Sequence, residues 1–243
     1  MTKFPTHAPE AFVESVLDLR PSVAVFDCDG TLWEGDSGEG FMNWTIDRGV
    51  VSAGVVARIT RRYSDYKTGR VDETTMCGEM VTMYAGLQVS QLESTAKTFF
   101  DQEVRQNIYP EMFELVSKLT KMKCKLWLIS STNEWVIRAA ARHLSVELSN
   151  VIAAAAHAEQ GIITSRLIRV PTDEGKAEAL RELVLPQCAS ERVDAVFGNS
   201  IHDAAMLKIA RHPIAINPTP ELQNIASAEG WKIHSTTVLA QWS

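Results

Sequence analysis

The chain has 243 residues, 45% apolar and 22% charged, a balance ordinary for a globular protein and a length sufficient for a full core with room for a second small domain. Its 30 acidic and 24 basic side chains leave a formal charge of -6, which argues against a general nucleic-acid-binding surface, where a basic stripe is expected. Four scattered cysteines (Cys28, Cys77, Cys124, Cys188) make no CxxC pair and read as reduced thiols, neither a disulfide frame nor a zinc site.

The first stretch, MTKFPTHAPEAFVESVLDLR, carries Glu10, Glu14 and Asp18, so it lacks the apolar centre of a signal peptide and reads as an opening helix. No apolar run reaches the roughly 18 residues of a membrane span. A cytoplasmic protein with no membrane partner is expected. After this helix, short apolar runs alternate with helical patterns. The predicted strands are VAVF (23–26), KLWLIS (125–130), VIAAAA (151–156), DAVFG (194–198) and PIAIN (213–217). Between them lie the amphipathic stretches 111–122, 133–144 and 175–185. Continuous apolar strands alternating with helices predict an α/β fold, a Rossmann-like doubly wound parallel sheet covered on both faces. VIAAAAHAEQ and GIITSRLI predict a hairpin that turns near Gln160 and Gly161.

The stretch from Asp36 to about Asn107 breaks the alternation. It shows helical periodicity without a convincing strand, and it is far too long for a loop. The expected division is therefore a core of residues 1–35 and 107–243 and a helical cap of residues 36–106. Met76, Met80 and Met83, at helical spacing, read as packing for that cap rather than a binding strip.

Three predicted strands carry polar groups at their carboxyl ends, where open parallel sheets bind ligands. The first ends in Asp27-Cys28-Asp29-Gly30-Thr31, the second in Ser130-Ser131-Thr132, and the fourth in Gly198-Asn199-Ser200-Ile201-His202-Asp203. Lys176 opens the helix after the hairpin. Each has an ordinary reading as a turn, an N-cap or a solvated lysine. Together they have one chemistry. Carboxylate and amide oxygens from Asp27, Asn199 and Asp203 suit Mg²⁺, serine and backbone N–H groups suit phosphate oxygens, and a lysine supplies a fixed positive charge. The set reads as metal-assisted phosphoryl transfer.

These segments, FDCDGTLW with Asp36-Ser37 behind it, LISSTNEWVIRAAA, EQGIITSRLIRVPTDEGKAEAL and FGNSIHDAAML, resemble in order and spacing the haloacid dehalogenase superfamily of phosphohydrolases, and within it the phosphoserine-phosphatase-like subfamily with a helical cap. The resemblance runs from Val23 to about His234. It implies that Asp27 is a nucleophile forming an aspartyl-phosphate, and that Asp29 is the general acid and then the base. Mg²⁺ would be held by Asp27, the Asp29 carbonyl, Asn199 and Asp203. Phosphate would be held by Ser130, Ser131 and Lys176, with Gly30 and Thr31 forming the turn. Asn199 departs from the family, which commonly has aspartate there; one negative charge is missing, and weaker metal affinity is expected.

Asp36 sits where relatives place an acid at the mouth of the cap. It is a candidate for a substrate ammonium group and equally an N-cap. His202 is a candidate phosphate contact and equally a partly exposed helix-start histidine. Glu39, Trp33, Trp44, Arg58, Arg61, Arg62 and Arg70 are further substrate candidates, arginine suiting a carboxylate and tryptophan a quaternary ammonium. The expected partner is a small phosphorylated metabolite, such as phosphoserine, phosphocholine or histidinol phosphate. Transfer of the phosphoryl group to an acceptor alcohol and non-catalytic binding of a phosphometabolite are the alternatives. The sequence does not set the oligomeric state.

Overall fold

A computed structural model describes residues 9–236. Seven strands form one sheet: β1 (Val23–Phe26), β2 (Lys125–Asn133), β3 (Val151–Glu159), β4 (Ile162–Arg169), β5 (Val193–Gly198), β6 (Ala210–Ile216) and β7 (Lys232–His234), in the order β4-β3-β2-β1-β5-β6-β7. All neighbours pair in parallel except β3 and β4, the expected antiparallel hairpin. Short, wholly buried β1 lies in the middle. Its alternating side chains explain why both faces must be covered. Ala24 and Phe26 enter one apolar core, and Val23 and Val25 enter the other. Phe26 stacks on Phe197 of β5 with centroids 4.3 Å apart, which fixes the register of the two strands whose ends carry acids.

Helices α1 (Pro9–Leu17), α6 (Pro110–Lys121) and α7 (Glu134–His143) contribute to the first core; α8 (Glu174–Ala179), α9 (Ala204–Leu207) and α10 (Pro220–Ala228) lie towards the second. The predicted helix over 175–185 is broken. It is α-helical only to Ala179, then widens to a π turn (Leu180–Val184) and tightens to a 3₁₀ turn (Leu185–Gln187) that contains Pro186 and is followed by Cys188.

The stretch between β1 and α6 holds four helices and no strand: α2 (Ser37–Asp47), α3 (Ala53–Lys67), α4 (Glu73–Thr82) and α5 (Val89–Phe99), followed by π and 3₁₀ turns to Asn107. Asp36, Ser52 and Asp72 cap α2, α3 and α4 through their side chains, so polar residues in the sequence mark three of the four helix starts. This inserted helical unit is joined to the β4 edge by backbone hydrogen bonds: Gly86 N–H donates to Ile163, Ile163 N–H to Leu87, and Val89 N–H to Gly161. No helix among the described residues is long and apolar enough to cross a membrane.

Candidate active site

The carboxyl ends of β1, β2 and β5 and the start of α8 converge, as the strand-end acids predict. Asp27 follows the last residue of β1, and its backbone N–H donates to Phe197 of β5. Its carboxylate is buried. Oδ1 accepts from Lys176 Nζ at 2.7 Å and Oδ2 from Thr31 Oγ1 at 3.0 Å. The same ammonium reaches Asp203 Oδ1 at 2.6 Å, so one buried lysine bridges two buried acids. Asp203 Oδ2 in turn accepts from the backbone N–H groups of Asn199 and Ser200 at 2.9 and 3.0 Å, closing a capping box after β5.

Burial, then the charge of Asp203, pushes Asp27 up to about 7 despite the opposing pull of Lys176. Burial works against the Lys176 ammonium, but Asp203 and Asp27 outweigh it and hold its pKa above the ordinary lysine range. Lys176 is therefore held protonated between the two acids.

Asp29 is oriented by three donors. Trp33 Nε1 at 2.6 Å and the Ser37 backbone N–H at 2.8 Å reach Oδ1, and Thr132 Oγ1 at 2.7 Å reaches Oδ2. Trp33 thus serves Asp29 from a buried position instead of facing a ligand. Ser130 is buried at the end of β2, and its Oγ accepts from the Thr132 N–H at 3.1 Å, across the bulge where β2 shifts register against β3. Ser131 lies beside Cys77 of α4, whose thiol is pushed up to about 12 by burial and by Glu73. Asn133 caps α7, its side chain accepting from the Val136 N–H.

Two glycines are required by close approach. A Cβ on Gly30, which sits at φ 74°, would lie 2.0 Å from Asn199 Nδ2, and one on Gly198 would lie 2.5 Å from Asp203 Cβ. Gly30→Ala is therefore expected to displace the Asn199 amide and to destabilise the fold by about 1–3 kcal/mol. Urea unfolding checks the stability.

Above these groups lies a cavity of about 400 Å³. Asp27, Asp29, Ser130, Lys176 and Asn199 form its floor; Tyr63, Tyr66, Met76, Cys77 and Met80, from α3 and α4, form its roof. Met76 and Met80 thus line the cavity besides packing the helical unit, while Met83 is buried packing alone. Asp36 accepts from Glu39 N–H at 2.8 Å as the cap of α2, and it also lines the cavity. Crowding by protein and the charge of Asp29 push it up to about 6.

His202 lines the cavity rim but its ring is committed. Nε2 lies 2.8 Å from Glu73 Oε2 and Nδ1 lies 2.7 Å from Asp173 Oδ1. The bond to Glu73 leads in pushing it up to about 9, with Asp173 adding to it. Both ring nitrogens are thereby paired with carboxylates at the cavity rim. The four arginine candidates also lie off the cavity. Arg62 is paired with Glu79 and Arg70 with Asp65, and Arg58 and Arg61 are exposed on α3. Trp44 lies under the Arg48 guanidinium at 3.7 Å. Glu39 pairs with Lys67 at 3.5 Å. The sequence reading missed Thr132, Tyr63, Tyr66, Glu73 and Asp173. Only Thr132, inside the Ser-Ser-Thr strand end, carried a local signal.

The fold and this constellation define an α/β enzyme whose chemistry sits at the carboxyl edge of its sheet. The chain belongs to the haloacid dehalogenase-like hydrolases, whose family model matches residues 24–208. It is similar to a histidinol-phosphatase of Neisseria meningitidis serogroup C (26% identity; 87% of this chain, 97% of the relative) and to phosphoserine phosphatase SerB1 of Mycobacterium tuberculosis (24%; 94% and 77%). A solved structure of a protein of unknown function from Bordetella pertussis Tohama I shares the fold at a TM-score of 0.76, with 24% identity over 87% of this chain and 97% of that one.

Proposed function

We propose that the protein is a Mg²⁺-dependent phosphomonoester hydrolase acting on a small phosphorylated metabolite, with Asp27 as nucleophile. The observation that carries this reading is the buried Asp27–Lys176–Asp203 bridge on the floor of the cavity, beside a hydroxyl-lined strand end. In it, Asp27 attacks phosphorus, the P–O bond to the leaving alcohol breaks, and an aspartyl-phosphate forms. Asp29, held by Trp33, Ser37 and Thr132, gives the alcohol oxygen its proton and then takes one from the water that hydrolyses the intermediate. Ser130 and Ser131 hold phosphoryl oxygens, and Lys176 offsets charge between Asp27 and the phosphate. The helical unit acts as the cap, excluding water from the reaction.

The donor set suits a hard cation. Asp27 and Asp203 share the one ammonium of Lys176, and the Asp29 backbone follows two residues after Asp27, so oxygen donors cluster at the cavity floor. Asp27, the Asp29 carbonyl, Asn199 and Asp203 would hold Mg²⁺, which when bound offsets the repulsion between carboxylate and phosphate. On the roof side, Asp36 stands among tyrosines and methionines, a lining suited to a leaving group with an apolar body and a positively charged end.

Phosphate release from phosphoserine, phosphocholine, phosphoethanolamine, histidinol phosphate and p-nitrophenyl phosphate, with Mg²⁺ and with EDTA, tests the reading. Release is expected only with the metal, and faster from amine-bearing esters than from p-nitrophenyl phosphate. No release from any ester at generous Mg²⁺ would refute it.

A further inference from the structure

Three features meet at one side of the cavity mouth, where the first turn of α4 comes down on the core. His202, in the turn after β5, binds Glu73 at the start of α4 and Asp173 in the loop before α8. The next pair along, Thr74 of α4 and Thr172 of that loop, joins hydroxyl to hydroxyl across the same seam. Asp173 itself sits at φ 46° and ψ -122°, a conformation that favours glycine and costs a non-glycine residue about 1–3 kcal/mol. A strained residue is retained where its surroundings over-determine it, and here the imidazole grips its side chain.

The elements so joined matter to the reaction. α4 carries Met76, Cys77 and Met80 into the cavity roof, and the Asp173 loop leads within three residues to Lys176. The far end of the cap is tied to β4 through backbone groups, so side-chain substitutions leave that tie intact. The His202 seam is made of side chains and fixes the end of α4 nearest the catalytic acids. From this geometry we infer that His202 is a positioning residue, which fastens the cap to the core through Glu73 and Asp173 and thereby sets the height of the cavity roof over the phosphate site. Hydrogen bonds to charged partners are among the stronger ones proteins make, which suits a fastening of two carboxylates by one ring.

The test compares His202→Ala, Glu73→Ala and the double variant with the wild type, by hydrogen exchange of the backbone amides in α4 and by steady-state kinetics on the ester that the panel selects. In either single variant the first turns of α4 should exchange about tenfold faster or more, because that end of the helix loses its tie through His202 and keeps the Thr74–Thr172 hydrogen bond to the loop. KM should rise about tenfold while kcat changes by less than about threefold, and the double variant should be no worse than the worse single one, since each breaks the same bridge. His202→Gln, which keeps a donor, should recover part of the loss. Unaltered exchange in α4, losses that add in the double variant, or a fall in kcat alone would overturn the inference. The kinetic arm rests on the proposed phosphatase reading, whereas the exchange arm does not, so failure of one is distinguishable from failure of the other.

Discussion

Asp27→Asn is expected to lower phosphate release by about 10⁴-fold or more, because it replaces the proposed nucleophile with an amide that is not one. Folding should survive the change. The carboxylate of Asp27 is pushed up to about 7 by burial and by Asp203, so at neutral pH its charged form works against the folded state. An asparagine of the same shape can accept from Lys176 with its oxygen and donate to the Thr31 hydroxyl with its nitrogen. Thermal unfolding without metal should accordingly place the variant at or above the wild type. Loss of activity with an unfolded chain would mean that Asp27 is structural first, and retained activity would remove it from the mechanism.

Lys176→Ala carries the largest expected stability effect. It leaves the buried Asp27 and Asp203 facing each other without the ammonium that bridges them at 2.7 and 2.6 Å. Removing one partner of a buried ion pair costs about 3–5 kcal/mol. The loss should depend on pH in a definite sense. An acid whose folded-state pKa exceeds its unfolded value destabilises progressively as pH rises through that interval. Without Lys176, Asp27 moves above its value of about 7, so the penalty keeps growing where that of the wild type has levelled. Urea unfolding in EDTA at pH 6 and pH 8 should show the larger deficit at pH 8. Adding Asp203→Asn to the variant should restore part of the stability. Equal deficits at the two pH values would contradict the charge account.

Much of this arrangement is legible in the sequence because it follows from short-range rules. Apolar runs mark the buried strands, and acids at their carboxyl ends mark the functional edge of the sheet. β7, only three residues long, is too short to stand out by pattern, and β6 begins three residues before PIAIN because Ala210-Arg211-His212 has no continuous apolar character. The roof tyrosines are hidden for another reason. In α3 only Ile59 is fully buried, so Tyr63 and Tyr66 look like the exposed side of an ordinary helix until the fold turns them towards the cavity. Trp33 appears in the sequence as an aromatic free to meet a ligand, and only the turn after Asp29 brings its Nε1 back onto that carboxylate. The bridge from Glu73 through His202 to Asp173 joins three distant segments, and no local pattern encodes it.

The central claim is that a phosphoryl group passes through Asp27. Rapid quenching during turnover with the best ester and Mg²⁺, followed by borohydride reduction, converts an aspartyl-phosphate to homoserine, which peptide mass spectrometry locates. The account predicts homoserine at position 27, absent in EDTA and absent in Asp27→Asn. Efficient metal-dependent turnover with no modified residue, or with the modification elsewhere, would contradict it.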